Sequence, residues 1–274
     1  LSEYFKKYEL SEKDPESFWS EIADSFSWKK KWDKVLDWDF EKANIKWFQN
    51  AKLNITENIF ERNIKERGSK TAIIWEPNDP AEPSIHLTYQ ELYDETCRFS
   101  NALRAKGISK GDRVIIYMPM VPEAAIAMLA CARVGAVHSV VFAGFSSTSL
   151  ADRINDCQAK MVLTSDGNFR GNKTIPVKSV VDEALEKSKS IESVIVLERT
   201  KQTINMFEGR DHWWHDCIKE ESNVCEAEVL DSEDMLFILY TSGSTGKPKG
   251  VVHSSAGYMV YSAYTCLLYT SDAA

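Results

Sequence analysis

The sequence lacks a long apolar run. Its longest strongly apolar stretch, "AAIAMLACA" from Ala124 to Ala132, is much shorter than the roughly 20 residues that a membrane-spanning helix needs. The chain opens with Leu1 rather than Met, so we expect its natural start to lie upstream, and no charged-then-apolar leader follows. We therefore expect a cytoplasmic protein with no membrane partner.

Closely spaced cysteine pairs and an excess of positive charge are also missing. The 6 cysteines are scattered, and several lie in apolar runs where a free thiol behaves as a small hydrophobe. This pattern favours a reducing compartment over a disulfide framework. The 33 Lys and Arg residues are outnumbered by 41 Asp and Glu residues, which leaves a net charge of −8. Nucleic acid is therefore not the expected partner, although a local basic loop can still hold a phosphate.

The N-terminal segment is rich in tryptophan and has a clear helix start. Asp14-Pro15-Glu16 matches an N-cap, a first-turn proline and an acid favoured by the helix dipole. Phe18, Trp19, Ile22 and Phe26 then fall on one helical face. We predict that residues 1–55 form a helical extension whose tryptophans pack rather than bind a ligand.

From Thr71 onward, short apolar strands alternate with helices. A capping-box pattern at Thr88 and Glu91 starts one helix that Gly107 ends, and Pro122 opens another that ends near Gly135. Further helices are predicted over "LADRINDC" and around residues 181–188. The predicted strands are "TAIIW", "RVIIYM", "HSVVFA", "KMVLT", "SVIVLE" and "MLFILY". The alternation predicts an α/β fold with a mostly parallel sheet flanked by helices, whose ligands bind beyond the strand C-termini.

The stretch "TSGSTGKPKG", Thr241 to Gly250, directly follows the last predicted strand. Glycines allow a close backbone approach, and their N–H groups together with hydroxyls and lysines suit phosphate oxygens. Gly243 and Gly246 are too close for a Walker loop, Pro248 follows Lys247, and the dinucleotide pattern is not met either. The alternative is a flexible surface turn, but the strand context and paired lysines favour a phosphate site.

"YTSGSTGKPKGVVH" resembles the phosphate-loop signature of the adenylate-forming, or AMP-binding, superfamily, and the resemblance runs from about Tyr4 to Thr265. Other stretches are similar to the acetate-activating members of that superfamily: "IYMPMVPEAAIAMLACARVGAVHSVVFAGFS", "NFRGNKTIPVK", "GRDHWWHD", "DPESFW" and "IKWF". The resemblance implies the large N-terminal domain of the adenylate-forming fold. It also implies ATP-dependent ligation of acetate to coenzyme A through an acetyl-adenylate, with Mg²⁺ assisting.

The resemblance also assigns two binding sites. The ATP phosphates would be bound by Thr241, Ser242, Gly243, Ser244, Thr245, Gly246, Lys247, Lys249 and Gly250. Coenzyme A would be bound by Arg170, Gly171, Asn172, Lys173, Phe142, Gly144, Ile175 and Pro176. Lys173 stands where relatives often carry a second arginine, and lysine keeps the charge but loses the bidentate fork. From the residues alone, a solvated turn at Arg170 and Lys173 is an equal alternative.

The resemblance further implies that the catalytic lysine, the acyl pocket and the Mg²⁺ ligand lie downstream. We expect no catalytic residue and no metal ligand in this chain, and no turnover by the chain alone. His212, His215, Cys217 and Cys225 match no common zinc spacing. We predict an incomplete AMP-binding domain over residues 56–265 and a tail over 266–274 that departs from the family pattern. Propionate or acetoacetate as the acid, a phosphate-binding fragment without catalysis and an unfolded product remain alternatives.

Overall fold

The computed structural model describes residues 2–241 and 246–271, and the side chains of residues 4–241 and 246–266. The chain divides into two compact units. The first draws on residues up to Arg62, on Val229–Met235 and on residues from His253, and the second comprises Asn63–Glu228 and Leu236–Val252.

The elements of both units are numbered along the chain. The helices are α1 (Ser2–Lys13), α2 (Pro15–Asp24), α3 (Ile55–Ile59), α4 (Ile64–Arg67), α5 (Tyr89–Ala105), α6 (Pro122–Val134), α7 (Ser147–Cys157), α8 (Val177–Leu185), α9 (Trp214–Ile218) and α10 (Ser255–Ser271). The strands are β1 (Lys34–Asp39), β2 (Asn44–Gln49), β3 (Lys52–Leu53), β4 (Thr71–Trp75), β5 (Ile85–Thr88), β6 (Arg113–Ile116), β7 (Val137–Val140), β8 (Met161–Ser165), β9 (Asn168–Arg170), β10 (Lys173–Ile175), β11 (Ser193–Leu197), β12 (Asp211–Trp213), β13 (Leu230–Asp231), β14 (Met235–Thr241) and β15 (Lys249–Ser254).

The second unit is built on a seven-stranded sheet in the order β12-β11-β8-β6-β7-β14-β15. The pairs from β12 to β14 are all parallel. The central strand β6 has β7 on one side and β8 on the other, so the chain order reverses at β6. Such a reversal is where open α/β sheets form a ligand crevice, beyond the carboxyl ends of the strands.

Side chains alternate across the sheet and build a core on each face. Ile115 of β6, Val162 of β8 and Val194 of β11 join one buried cluster together with Leu150 and Ile154 of α7. Their strand neighbours, which include Met161 and Leu163, are equally buried and point to the opposite face. Both faces are therefore covered, which explains why these strands are apolar throughout instead of alternating with polar residues.

The first unit contains the N-terminal helices and a two-stranded antiparallel hairpin, β1-β2, which the sequence patterns did not predict. The Asp14 side chain accepts a hydrogen bond from the Ser17 N–H at 3.1 Å, which confirms the predicted N-cap of α2. The tryptophans mostly pack, as predicted. Those that pack against the buried cluster around Phe48 are Trp19, Trp28, Trp32 and Trp47. Trp38 differs, since it is 60% exposed.

The α/β fold with a mostly parallel, helix-flanked sheet is confirmed. The capping box at Thr88 and Glu91 is present, and Gly135 ends α6 with a left-handed φ of 74°. Strand β7 ends at Val140, three residues earlier than predicted, where its partner β6 also ends. Helix α8 begins at Val177 rather than near Val181, directly after Pro176. The predicted domain boundaries at 55 and 265 remain predictions.

Candidate functional site

The predicted coenzyme A residues follow the carboxyl ends of strands β7 and β8, which lie on either side of β6. Phe142 and Gly144 lie in the loop after β7, and Arg170 to Pro176 follow β8. In a parallel sheet these ends share one edge, which is the edge expected to bind ligands. Thr241, the first residue of the predicted phosphate loop, ends strand β14 at the same edge.

Strands β9 and β10 form a small hairpin that places two cations opposite each other, and we call it the charged hairpin. Arg170 and Lys173 are direct cross-strand partners on either side of the two-residue loop Gly171-Asn172. Gly171 has φ 56°, so glycine relieves the backbone strain that a side chain would cause there. Both cations are exposed, and neither has an ion-pair partner among the described residues. Like charges placed opposite each other repel, so an anion bound between them would relieve the repulsion.

A second hairpin, β4-β5, holds the first one. The Asn78 side chain in its loop donates to the Gly171 carbonyl at 3.1 Å and accepts from the Gly171 N–H at 3.3 Å. The Arg199 guanidinium lies between the rings of Trp75 and Phe169, with centroid distances of 5.1 and 4.9 Å. The sequence predicted only a turn around Asn78, because no pattern in the neighbouring residues indicates a contact with a residue 93 positions away.

The carboxylate of Asp166 fixes the backbone at the root of the charged hairpin. This residue is 1% exposed and lies between β8 and β9. It accepts hydrogen bonds from the N–H groups of Gly167, Arg199, Thr200 and Gln202, at 2.7 to 3.2 Å. One buried acid therefore ties the loop after β8 to the loop after β11.

A buried ion cluster anchors the helix that follows the charged hairpin. Lys178, in the first turn of α8 and 1% exposed, contacts Asp182 and Asp211 at 2.7 Å each. Burial raises the pKa of Asp211, but hydrogen bonds from Arg210 and Lys178 outweigh it and hold that pKa below its ordinary value. The carboxylate therefore stays ionised, and α8 is tied to strand β12.

The loop after β7 presents an exposed aromatic surface. Phe142 is 70% exposed and packs edge-to-face on Phe145, with ring centroids 5.8 Å apart. A Cβ at Gly144 would lie 2.4 Å from the Phe142 ring, so any larger residue here would displace that ring from its present position. The Tyr117 hydroxyl donates to the Phe145 carbonyl at 2.7 Å and fixes the loop. An exposed ring on a fixed loop can stack on a flat base.

The remaining coenzyme A candidates flank the charged hairpin. Asn172 is exposed at its tip, Ile175 is half-buried opposite Asn168, and Pro176 is the N-cap of α8. The part of these three residues in binding coenzyme A stays a prediction.

The phosphate loop is described only in part. Ser242, Gly243, Ser244 and Thr245 lie outside the described residues, so their predicted role is not addressed by the structure. Thr241, Gly246, Lys247, Lys249 and Gly250 are all exposed. Gly246 has φ 80°, and a Cβ at Gly250 would lie 3.0 Å from Ile238 and 3.2 Å from the Tyr240 ring. Both glycines therefore meet a conformational or steric requirement.

Arg153 of α7 connects the aromatic loop with the strand that leads to the phosphate loop. Its guanidinium lies 4.9 Å from the Phe145 ring centroid and 5.4 Å from that of Tyr240. The Tyr240 hydroxyl donates to Asp156 at 2.7 Å, and burial together with this hydrogen bond raises the pKa of Tyr240. The sequence did not indicate that Arg153, Phe145 and Tyr240 meet, since they lie on a helix, a loop and a strand that are separated along the chain.

His138 and the Cys131 thiol are buried in the second unit. Burial lowers the pKa of His138 to about 4 and that of His212 below its ordinary value, and it raises the pKa of the Cys131 thiol to about 12. A thiol with a raised pKa is a poor nucleophile. Within residues 2–241 and 246–271, no cluster of His, Cys, Asp and Glu side chains has the arrangement of a metal site.

Comparison with known families defines the class of protein. The family model described as "AMP-binding enzyme" matches residues 60–273, and that of the "acetyl-coenzyme A synthetase N-terminus" matches residues 4–59. The chain belongs to the AMP-binding enzyme family, and its first part matches the separate model of the acetyl-coenzyme A synthetase N-terminus. The predicted family resemblance is therefore confirmed.

Individual relatives are similarly consistent. The chain is 51% identical over 265 residues to the acetyl-coenzyme A synthetase of Bdellovibrio bacteriovorus, covering 96% of this chain and 41% of that protein. It is 53% identical over 261 residues to that of Syntrophobacter fumaroxidans, covering 95% and 40%. Among solved structures, the acetoacetyl-CoA synthetase from Streptomyces lividans has 25% identity and a TM-score of 0.83, covering 92% of this chain and 38% of that chain.

The chain thus spans about two fifths of the length of the curated relatives it matches. In the parts of the chain that are described, no helix combines the length and the apolar character that crossing a bilayer would require.

Proposed function

We propose that this chain is part of an ATP-dependent ligase that joins acetate to coenzyme A. Acetate attacks the α-phosphate of ATP to form acetyl-adenylate and pyrophosphate, and the coenzyme A thiol then displaces AMP. The observation that carries the proposal is the exposed pair Arg170 and Lys173 in a chain about half identical to acetyl-coenzyme A synthetases over nearly its whole length.

The charged hairpin is the proposed seat of the 3′-phosphate of coenzyme A. A phosphate monoester carries close to two negative charges at neutral pH. Arg170 can bind it through a bidentate fork, whereas Lys173 supplies a point charge. The exposed Phe142 ring offers a flat apolar surface for the adenine of the same ligand.

The loop from Thr241 to Gly250 is the proposed seat of the ATP phosphates. The exposed Lys247 and Lys249 can neutralise phosphate charge, and the glycines let the backbone approach it. Transfer of the adenylyl group moves negative charge onto pyrophosphate, so fixed donors stabilise the transition state more than the ground state.

No group of three or more His, Cys, Asp or Glu side chains among the described residues could hold a metal ion, and the family resemblance puts the Mg²⁺ ligand downstream of this chain. We therefore assign no step through Mg²⁺, and no side chain of this chain is assigned a catalytic role. In the proposal, the chain binds and orients both nucleotides but does not form acetyl-adenylate by itself.

The coenzyme A site is tested by comparing coenzyme A with dephospho-coenzyme A, which lacks only the 3′-phosphate. Isothermal titration of the 274-residue chain should give tighter binding of coenzyme A. Arg170→Ala should remove most of that preference, because the charge and the fork are both lost. Arg67→Ala, a change of another exposed arginine on α4, is the matched control and should retain the preference. Equal binding of both ligands by the unaltered chain would contradict the proposed site.

The acid is a separate question. A specific alternative is acetoacetate, because the similar solved structure is an acetoacetyl-CoA synthetase. The higher identity to acetyl-coenzyme A synthetases favours acetate. Comparing kcat/KM for acetate, propionate and acetoacetate in a protein extended to the full length of the relatives decides between them. A preference for acetoacetate would replace the proposed substrate without changing the reaction class.

A further inference from the structure

We propose that Asn78 is a positioning residue that holds the turn between Arg170 and Lys173 in the shape that accepts a 3′-phosphate. This inference rests on the proposed function of the charged hairpin and adds a residue from a distant part of the chain. Asn78 lies in the loop between β4 and β5, outside every motif that indicated a coenzyme A site.

The side-chain amide of Asn78 makes one hydrogen bond to the Gly171 carbonyl and one to the Gly171 N–H. Its NH₂ group donates to the Gly171 carbonyl at 3.1 Å, and its oxygen accepts from the Gly171 N–H at 3.3 Å. This pair of hydrogen bonds resembles the pair that a neighbouring β-strand would make with the backbone of Gly171. They fix both the position and the tilt of the turn at its first residue.

The charged hairpin needs such external support. Each of its strands has three residues, and the pair is not part of the seven-stranded sheet. An isolated two-stranded hairpin is at best marginally stable in water. The repulsion between Arg170 and Lys173 weakens it further. Neighbouring structure must therefore hold the two cations at the separation that an anion requires.

Arg199, in the loop after β11, links the β4-β5 hairpin to the body of the charged hairpin. Arg199 lies over the ring of Phe169 in β9 and over that of Trp75 at the end of β4. It also pairs with Glu82 in the β4-β5 loop at 3.3 Å. The Trp75 indole N–H donates to the Met120 carbonyl at 2.7 Å and ties β4 to the loop after β6. The β4-β5 hairpin, which carries Asn78, is therefore held in place by these contacts.

The contact also decides which groups remain for the ligand. Because Asn78 occupies the Gly171 N–H, the phosphate is bound chiefly by the side chains of Arg170 and Lys173. Holding these cations in place before binding lowers the ordering cost that binding would otherwise carry. Loss of Asn78 should therefore weaken binding without removing any group that touches the ligand.

The test uses adenosine 3′,5′-bisphosphate as the probe and adenosine 5′-monophosphate as the comparison ligand, titrated into the 274-residue chain. Asn78→Ala should weaken binding of the bisphosphate about tenfold, as expected for two exposed hydrogen bonds. Binding of the monophosphate should stay unchanged. Asn101→Ala is the matched control, because Asn101 also makes two side-chain hydrogen bonds to the backbone, in its case by donating to the carbonyls of Ser222 and Val224. It should bind both ligands as the unaltered chain does.

Asn78→Asp separates positioning from general loss of structure. The carboxylate keeps the acceptor for the Gly171 N–H, loses the donor and adds a negative charge beside the anion. Its binding should be weaker than that of Asn78→Ala at low salt, and the difference should shrink in 1 M salt, where the screening length falls to about 3 Å. Hydrogen exchange at the Gly171 amide should speed up in Asn78→Ala and not in Asn101→Ala.

The outcomes distinguish the inference from the function beneath it. If Arg170→Ala weakens bisphosphate binding but Asn78→Ala does not, the positioning role is refuted and the proposed site stands. If the unaltered chain binds bisphosphate and monophosphate equally, the proposed site fails and the inference fails with it. Selective loss of bisphosphate binding in Asn78→Ala, with the control unaffected, supports both.

Discussion

Replacing Asp166 should destabilise the second unit more than any other single acid-to-neutral change at this edge of the sheet. The carboxylate is 1% exposed and accepts four backbone N–H groups from two loops. In Asp166→Ala these donors lose their acceptor inside the protein. The residues concerned carry the charged hairpin on one side and Arg199 on the other.

The magnitude follows from the hydrogen bonds. Each bond to a charged acceptor contributes about 1.5 to 3 kcal/mol, but freed N–H groups near the surface can bind water, so the sum is not reached. We expect Asp166→Ala to lower the free energy of unfolding by about 3 to 5 kcal/mol, the range for breaking a buried network. Asp166→Asn should lose about 2 kcal/mol. Its oxygen can replace Oδ1, which serves Gly167 and Arg199, but its NH₂ group then faces the N–H of Gln202.

Urea titration monitored by circular dichroism measures the loss. Asp152→Asn, a change of an exposed acid on α7, is the matched control and should change the free energy of unfolding by less than about 0.5 kcal/mol. Native-state hydrogen exchange should accelerate at Arg199, Thr200 and Gln202 in the Asp166 variants. Equal unfolding midpoints for Asp166→Ala and Asp152→Asn would refute the assignment of Asp166 as the link between the loops.

Three further predictions concern stability. Burial holds the pKa of His138 at about 4, below its unfolded value of about 6.5. Between these two values the unfolded state binds more protons, so the free energy of unfolding falls by up to about 3 kcal/mol as the pH drops through that window. His138→Phe should flatten this pH dependence in chemical unfolding. Tyr240→Phe removes the hydrogen bond to Asp156 and should cost about 1 kcal/mol in the same assay, whereas an unchanged midpoint would show that the bond contributes nothing. Thr88→Ala breaks the capping box of α5 and should cost about 1 kcal/mol, with Thr88→Ser restoring most of it; similar losses in both variants would rule out the cap as the cause.

Local sequence patterns predicted most of the fold correctly. Apolar runs between glycines and prolines predicted the strands, and the capping box at Thr88 and the Pro122 start predicted two helices correctly. These features depend on residues within one turn or one strand of each other, so they can be read along the chain. The β1-β2 hairpin was missed, because the tryptophan-rich segment also suits packed helices.

The candidate site was predicted as a set of motifs but not as an arrangement. The letters "FRGNK" placed Arg170 and Lys173 near a tight turn, and the structure pairs them across it. The phosphate-loop residues from Ser242 to Thr245 remain a prediction from sequence. Gly144 illustrates the difference: its place in a motif was visible in the sequence, but the close approach of the Phe142 ring to it is visible only in the structure.

The sequence by itself determined the order and type of most elements, the turn at Gly171 and the two charges beside it, because propensity, periodicity and turn chemistry act over a few residues. Only the tertiary structure decided what those elements touch. Asn78 contacts Gly171, which lies 93 positions further along the chain, and Arg153 of α7 contacts the Tyr240 ring of β14. Such contacts depend on strand order and helix packing, which bring distant segments to one edge and which no local pattern encodes.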